Sequence, residues 1–284
     1  MTKLFLFFAL LFTVTESVAQ TNQVVLKDLT WDKTAPAAMI ELDITSNGSR
    51  LAGGIMYTPN GNQKHPTLIL LHGFPGNEKN LDIAQVVRAH GWNVIYFNYR
   101  GSWGSEGKYS FENCVEDVKA VVEYCNTNQD SLKIDTTKIV LFGHSLGGFV
   151  CLKVLEQIPQ IKKGFALSMA TLYQHIKSIP DEKTLIETID KLLPTNDVAI
   201  NSTNQQIFLA AYRNLVYYNI AGDTKLLKDK QIIMLDEYKE NKSVADAITA
   251  SGIKYFDYQV WDTDHSFTNK RASLMNLLLS FLDK

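Results

Sequence analysis

Short, almost wholly apolar runs recur along this chain with helical patterns between them, and that alternation constrains the fold more than any other feature. Thr67–Leu71, Asn93–Phe97, Lys138–Phe142 and Gly164–Ser168 have the length and composition of strands buried on both faces. Amphipathic stretches separate them: Leu81–His90, ended by Gly91, then Phe111–Asn126 and Leu146–Ile158. The pattern predicts an α/β fold, a mostly parallel central sheet with helices on both faces. Upstream, Met39–Thr45 and Arg50–Tyr57 read as two strands joined by a turn at Asn47-Gly48.

From Thr171 to about Ala221 the alternation stops. Helical periodicity near Leu185–Leu193 and Gln205–Tyr218, with no buried strand, predicts an inserted helical lid over residues 171–221. The pattern then resumes with strand Ile232–Leu235, helix Ser243–Ala250, strand Tyr255–Trp261 and helix Arg271–Leu282. The α/β core is therefore expected in two pieces, 20–170 and 222–284.

Residues 1–19 read as a signal peptide: Lys3, the apolar run Leu4–Val14, and small residues Ser17-Val18-Ala19 before a cleavage point. That run is far shorter than the roughly twenty residues a spanning helix needs. The mature chain is expected to hold no membrane span and to be exported, periplasmic or secreted. Export favours disulfides, yet Cys114 and Cys125 fall on one expected helix, roughly 16 Å apart along its axis. With Cys151 they read as free, buried thiols. A net charge of −2, from 28 basic and 30 acidic residues without a basic run, excludes the footprint of a nucleic-acid binder.

Gly143-His144-Ser145-Leu146-Gly147 follows an expected strand and opens an expected helix. In that setting flanking glycines permit the tight turn that lifts a Ser hydroxyl clear of a sheet. The helix start also offers backbone N–H groups to a developing oxyanion. His72-Gly73-Phe74-Pro75-Gly76 lies directly after another strand, so the N–H groups of Phe74 and Leu146 form the expected donor pair. His72, at a strand end before Gly, reads as structural. A Ser nucleophile needs a base, and His265 in Asp262-Thr-Asp-His-Ser-Phe267 is the His beyond the insertion. Asp264 reads as a loop or helix-start residue. His65, His90, His144 and His175 lack ligand spacing, so no metal site is expected, and the chemistry needs no cofactor.

Together these elements resemble the α/β-hydrolase-fold serine hydrolases, over nearly all of the mature chain outside the lid. The segment Asn98-Tyr-Arg-Gly-Ser-Trp-Gly-Ser-Glu-Gly107 also resembles a loop of esterase-like members and prolyl-oligopeptidase-type peptidases. The resemblance implies that it follows a central strand and borders the active-site mouth. It further implies a carboxylate after the strand Gln231–Leu235, there to orient the His and stabilise its cation. Ending that strand at Met234 puts Lys239 at the position; ending it at Leu235 puts Glu240 there. Glu240 is the expected acid, with Asp236 and Glu237 as alternatives that lie close to the strand.

The implied activity is hydrolysis of an ester or related acyl bond in a small molecule or short peptide. Ser145 attacks, His265 moves the proton, and water releases the acyl-enzyme. A peptidase reading rests on the Asn98–Gly107 loop, with lid residues Asp181, Glu182 and Glu187 as generic anchors for a free amine. The shifted acid motivates a different class, a hydrolase fold that has lost turnover and binds a ligand. The lid aromatics Tyr173, Phe208, Tyr212, Tyr217 and Tyr218 either line an apolar acyl pocket or pack the lid onto the core.

Overall fold

A computed structural model describes residue 28, residues 30–195 and residues 198–284. The expected signal peptide, residues 1–19, lies outside the described residues. The chain enters through β1 (Ala38–Glu41), forms a small hairpin from β2 (Ile44–Ser46) and β3 (Ser49–Leu51), and continues as β4 (Ile55–Thr58). The two long strands expected here are thus four short ones. The break lies at Gly53-Gly54: Leu42 N–H donates to Gly54 O at 2.8 Å, and a Cβ on Gly54 would lie 2.6 Å from Leu42 O. The turn falls where expected, with Asn47 (φ 46°) and Gly48 (φ 78°) both left-handed, as a two-residue hairpin loop requires.

The alternation then unfolds in order: β5 (His65–Leu71), α1 (Leu81–Ala89), β6 (Asn93–Tyr96), α2 (Phe111–Thr127), β7 (Ile134–His144), α3 (Leu146–Gln157) and β8 (Lys163–Leu167). An excursion follows, with α4 (Leu172–Ile176), α5 (Glu182–Leu192), α6 (Asn204–Arg213) and short 3₁₀ turns as far as Leu227. The core closes with β9 (Gln231–Asp236), α7 (Lys242–Ala250), β10 (Tyr255–Val260) and α8 (Arg271–Leu282). Eight strands make one sheet in the order β1-β4-β6-β5-β7-β8-β9-β10, in which β4 pairs antiparallel with both neighbours and β6 to β10 run parallel.

Period-two alternation sorts each strand's side chains between two apolar layers. On β7, Ile139 and Leu141 face α2 and α3, while Val140 and Phe142 face α1 and α8. Each fully buried aliphatic side chain contributes about 1.5–3 kcal/mol, which drives both layers together. Helix α2 carries its stripe on Cys114, Val115, Val118, Val121, Val122 and Cys125, all buried. The three cysteines are buried and unpaired, and burial pushes the Cys125 thiol up to about 12, so it packs as a small neutral group.

One charge sits inside that layer. Asp117 on α2 is fully buried; its carboxylate accepts the Arg100 backbone N–H at 2.7 Å and pairs with the Arg100 guanidinium, itself 7% exposed. Burial pushes the Asp117 carboxyl up, and the bonds from Arg100 pull it back down. The pair fastens the Asn98–Gly107 loop to α2. Asp117→Ala leaves a buried guanidinium without its counter-ion, so a loss of about 3–5 kcal/mol is expected. Urea unfolding monitored by circular dichroism measures it; a loss under about 1 kcal/mol would show the pair to be dispensable.

Candidate active site

The turn from β7 into α3 holds Ser145 at φ 58°, ψ −119°, a conformation that side-chain-bearing residues rarely adopt. Sterics around it explain the flanking glycines. A Cβ on Gly143 would lie 1.9 Å from Gly147 O, and one on Gly147 would lie 2.0 Å from Leu71 O. The backbone of Ser145 is tied to the neighbouring strand and the loop after it, its N–H donating to Leu167 O (2.8 Å) and its C=O accepting from Ala170 N–H (3.0 Å). The turn is therefore held by β8 as well as by its own sequence.

The loop after β5 comes up beside it. A Cβ on Gly73 would meet Ser145 Cβ at 2.9 Å and Ser145 Oγ at 3.4 Å, so only a bare backbone fits there. Among the described residues, neither Phe74 N–H nor Leu146 N–H is hydrogen-bonded. Trp103 Nε1 donates to Pro75 O at 2.7 Å, and the Phe74 ring lies edge-on to Phe111 and Phe208. The Asn98–Gly107 loop thus braces this turn, and it also bonds the helical excursion through Trp103 N–H to Ala199 O and Asn201 N–H to Gly101 O. His72 is structural, as expected: its Nδ1–H donates to Gly73 O (2.7 Å), its ring lies 4.4 Å from that of Tyr99, and burial lowers its pKa to about 4.

His265, in the loop after β10, donates Nδ1–H to a carboxylate oxygen of Glu237 at 2.6 Å. The hydroxyl of Ser168 donates to the other oxygen. The sequence-based choice of Glu240 as the partner acid is therefore corrected: the carboxylate on His265 belongs to Glu237. Lys239 and Glu240 lie on an exposed 3₁₀ turn (Lys239–Asn241), while Asp236 is buried and bonded to Asn241. Parity on β9 explains the outcome. Ile233 and Leu235 face the layer that holds Phe267 and α8, and Glu237 continues that face toward the His265 loop. Asp236 follows Ile232 and Met234 on the opposite face, beside α7. Because β9 is apolar and buried on both faces, the sequence carries no sign of which face meets the His265 loop.

Electrostatics follow from the contacts. Burial pushes the Glu237 carboxyl up, but the bonds from His265 and Ser168 outweigh it and hold the pKa at about 2. The bond from Glu237 raises His265 against the opposing effect of burial. His144, inside the glycine-flanked motif, donates Nε2–H to the backbone C=O of His265 at 2.8 Å. Burial, then the nearby His265, lower its pKa to about 4, so it acts as a neutral donor that anchors the His265 loop. The sequence reading assigned no role to His144 or Ser168. Asp264 caps its loop by accepting Thr268 N–H, as expected.

Ser145, Glu237 and His265 line one cavity of about 250 Å³, at the C-terminal ends of the strands. Ser145 Oγ and the His265 ring are not hydrogen-bonded to each other, and such bonds are often long before substrate binds. None of the five excursion aromatics lines this cavity. Tyr218, 2% exposed, stacks on Phe149, and Phe208 packs on Phe111 at 5.2 Å, so these two fasten the excursion to the core. The acidic residues weighed as amine anchors are engaged elsewhere: Asp181 caps α5, Glu182 pairs with Arg213 and Glu187 lies near Lys183. Among the described residues no group of three His, Cys, Asp or Glu side chains is placed to hold a metal ion, and no helix is long and apolar enough to cross a membrane.

A family model for the alpha/beta hydrolase fold matches residues 66–269. The chain belongs to that family. Among curated relatives, the 31.7 kDa protein of the traX-finO intergenic region of Escherichia coli is 34% identical over 121 residues, covering 40% of this chain and 41% of the relative. An alpha/beta hydrolase domain-containing protein of Arabidopsis thaliana is 33% identical over 87 residues, covering 30% of this chain and 27% of the relative. The matched segment thus spans well under half the length of these relatives. An esterase from Pyrococcus furiosus superposes with a TM-score of 0.63 at 17% identity, covering 89% of this chain and 95% of its own. Brefeldin A esterase, a bacterial homologue of human hormone-sensitive lipase, gives 0.59 at 17%, covering 92% and 81%. At such identities the likeness shows the shared hydrolase fold, whose ligand crevice lies at the ends of the parallel strands where this cavity opens.

Proposed function

We propose that this protein is a serine hydrolase that cleaves the carboxylic-ester or related acyl bond of a small molecule. One observation carries the reading: the Glu237-bonded His265 lines the same cavity as Ser145, which sits at a strained turn packed against Gly73. In the proposed reaction His265 Nε2 takes the Ser145 proton as Oγ attacks the carbonyl carbon. The resulting oxyanion is held by Phe74 N–H and Leu146 N–H. As the tetrahedral adduct collapses, the alcohol leaves with the proton from His265. Water, deprotonated by the same nitrogen, then attacks the acyl-enzyme and frees the acid and Ser145. Glu237 keeps Nδ1 protonated and stabilises the transient imidazolium.

Esterase relatives of the same fold support this reading, and the shift of the partner acid from Glu240 to Glu237 removes the motive for a fold that has lost turnover. A fluorophosphonate probe tests it directly. The full chain is expected to label once, on the peptide that contains Ser145, and to hydrolyse short p-nitrophenyl esters. A folded chain that neither labels nor turns over any ester would leave the ligand-binding reading in its place.

A further inference from the structure

We propose that Glu240 is a specificity residue that selects esters with a cationic group on the arm entering the Ser145 cavity. This rests on the hydrolase reading above and deepens it. The cavity, about 250 Å³, is smaller than the roughly 300–1,000 Å³ of typical drug-sized ligand sites, so it suits a short arm. Its wall is mixed: beside Met169, Ala170 and the Tyr238 ring it carries the polar side chains of Thr171, His175, Glu240 and Asn241.

Two carboxylates at this wall are in different settings. Glu237 is engaged by His265 and Ser168. Glu240 is exposed and, among the described residues, makes no ion pair or hydrogen bond. A third carboxyl, Asp236, lines the same cavity although it is 2% exposed; one oxygen accepts from Asn241 at 3.1 Å, and the other, near the Tyr258 hydroxyl, makes no hydrogen bond among the described residues. Burial raises Asp236 to about 6 against the bond from Asn241, and the charges of Glu237 and Glu240 push it the same way as burial. Glu240 also favours the imidazolium form of His265. Its charge is therefore felt across the cavity. Lys239 precedes it in the chain but is not part of the wall. A neutral alkyl arm would have to desolvate these groups without return, whereas a cation gains attraction and a hydrogen-bond acceptor.

Two isosteric pairs of esters test the proposal: 2-(trimethylammonio)ethyl acetate against 3,3-dimethylbutyl acetate, and glycine phenyl ester against propionate phenyl ester. The first places the cation on the leaving alcohol, the second on the acyl group. For at least one pair, kcat/KM of the full chain is expected to favour the cation by about fivefold or more, the scale of one partly exposed charge pair. That ratio is expected to fall toward one in Glu240→Gln and to shrink with added salt, while Glu187→Gln on α5 keeps it. Equal rates within both pairs, or a preference that survives in Glu240→Gln, would overturn the proposal while Ser145-dependent turnover still upheld the hydrolase. If no ester is turned over and no fluorophosphonate labels the chain, both readings fall together.

Discussion

Ser145→Ala is expected to lower kcat for ester hydrolysis on the order of 10⁵- to 10⁶-fold, the scale lost when a triad nucleophile is removed. The residue that provides the hydroxyl is also the one held at φ 58°, ψ −119°. Its conformation costs of order 1–3 kcal/mol for a residue with a Cβ. The folded state tolerates this because Ser145 is bonded to Leu167 on β8 and to Ala170 in the loop after it, and because the glycines at 143 and 147 leave room for the turn. Two outcomes should separate in the same experiment. Ser145→Ala keeps the strain and should unfold at nearly the wild-type denaturant midpoint, while Ser145→Gly relieves it and should be more stable by about 1 kcal/mol. Both should be inert to the fluorophosphonate. Turnover that persists in Ser145→Ala would place the nucleophile elsewhere.

Glu237→Gln is expected to reduce kcat/KM by about ten-thousandfold, because the amide can hold the imidazole in the wrong tautomer and cannot stabilise its cation. It should also change the pH profile in a defined direction. In the proposed reaction His265 must be neutral to accept the Ser145 proton, so activity is expected to rise with pH through its pKa. The Glu237 carboxylate raises that pKa, and Glu237 itself, held at about 2, is ionised throughout the working range. Removing the charge lets the His265 pKa fall, so the acid limb moves to lower pH even as the plateau drops. Measuring kcat/KM from about pH 4 to 9 reads both effects. Glu240→Gln, which leaves the His265 bond intact, should stay within about tenfold of wild type on a neutral ester. If Glu237→Gln kept full activity while Glu240→Gln lost it, the assignment of the acid would be reversed.

Most of the fold was legible because it is written in local patterns. A strand buried on both faces must be apolar throughout, and a helix lying on it must repeat its apolar residues every three or four positions. Thr67–Leu71, Phe111–Asn126 and Arg271–Leu282 each satisfy one of these rules, and each forms the expected element. Where short strands follow one another closely, the rule fails: the two strands expected over Met39–Tyr57 became four because a glycine pair bends the chain opposite Leu42.

The candidate site divides in the same way. Gly143–Gly147 and His72–Gly76 were readable because strand, turn and helix start are contiguous in sequence, and their steric demands act on neighbouring residues. The partner of His265 was not, because it lies 28 residues away and depends on which face of β9 the chain leaves. One residue of strand parity moves a carboxylate from the α8 side of the sheet to the α7 side, and a count from an assumed strand end cannot see that. Nor could the sequence show that Ser168 and His144 serve the Glu237–His265 pair, or that Phe208 and Tyr218 are taken up in packing. By itself the sequence determined the layered α/β fold, the serine turn and the late histidine, since each follows from bonding and sterics within a few residues. Only the tertiary structure decided which acid meets the histidine and left Glu240 at the cavity wall without an ion pair among the described residues, because those outcomes depend on how β8, β9 and the loop after β10 meet in space.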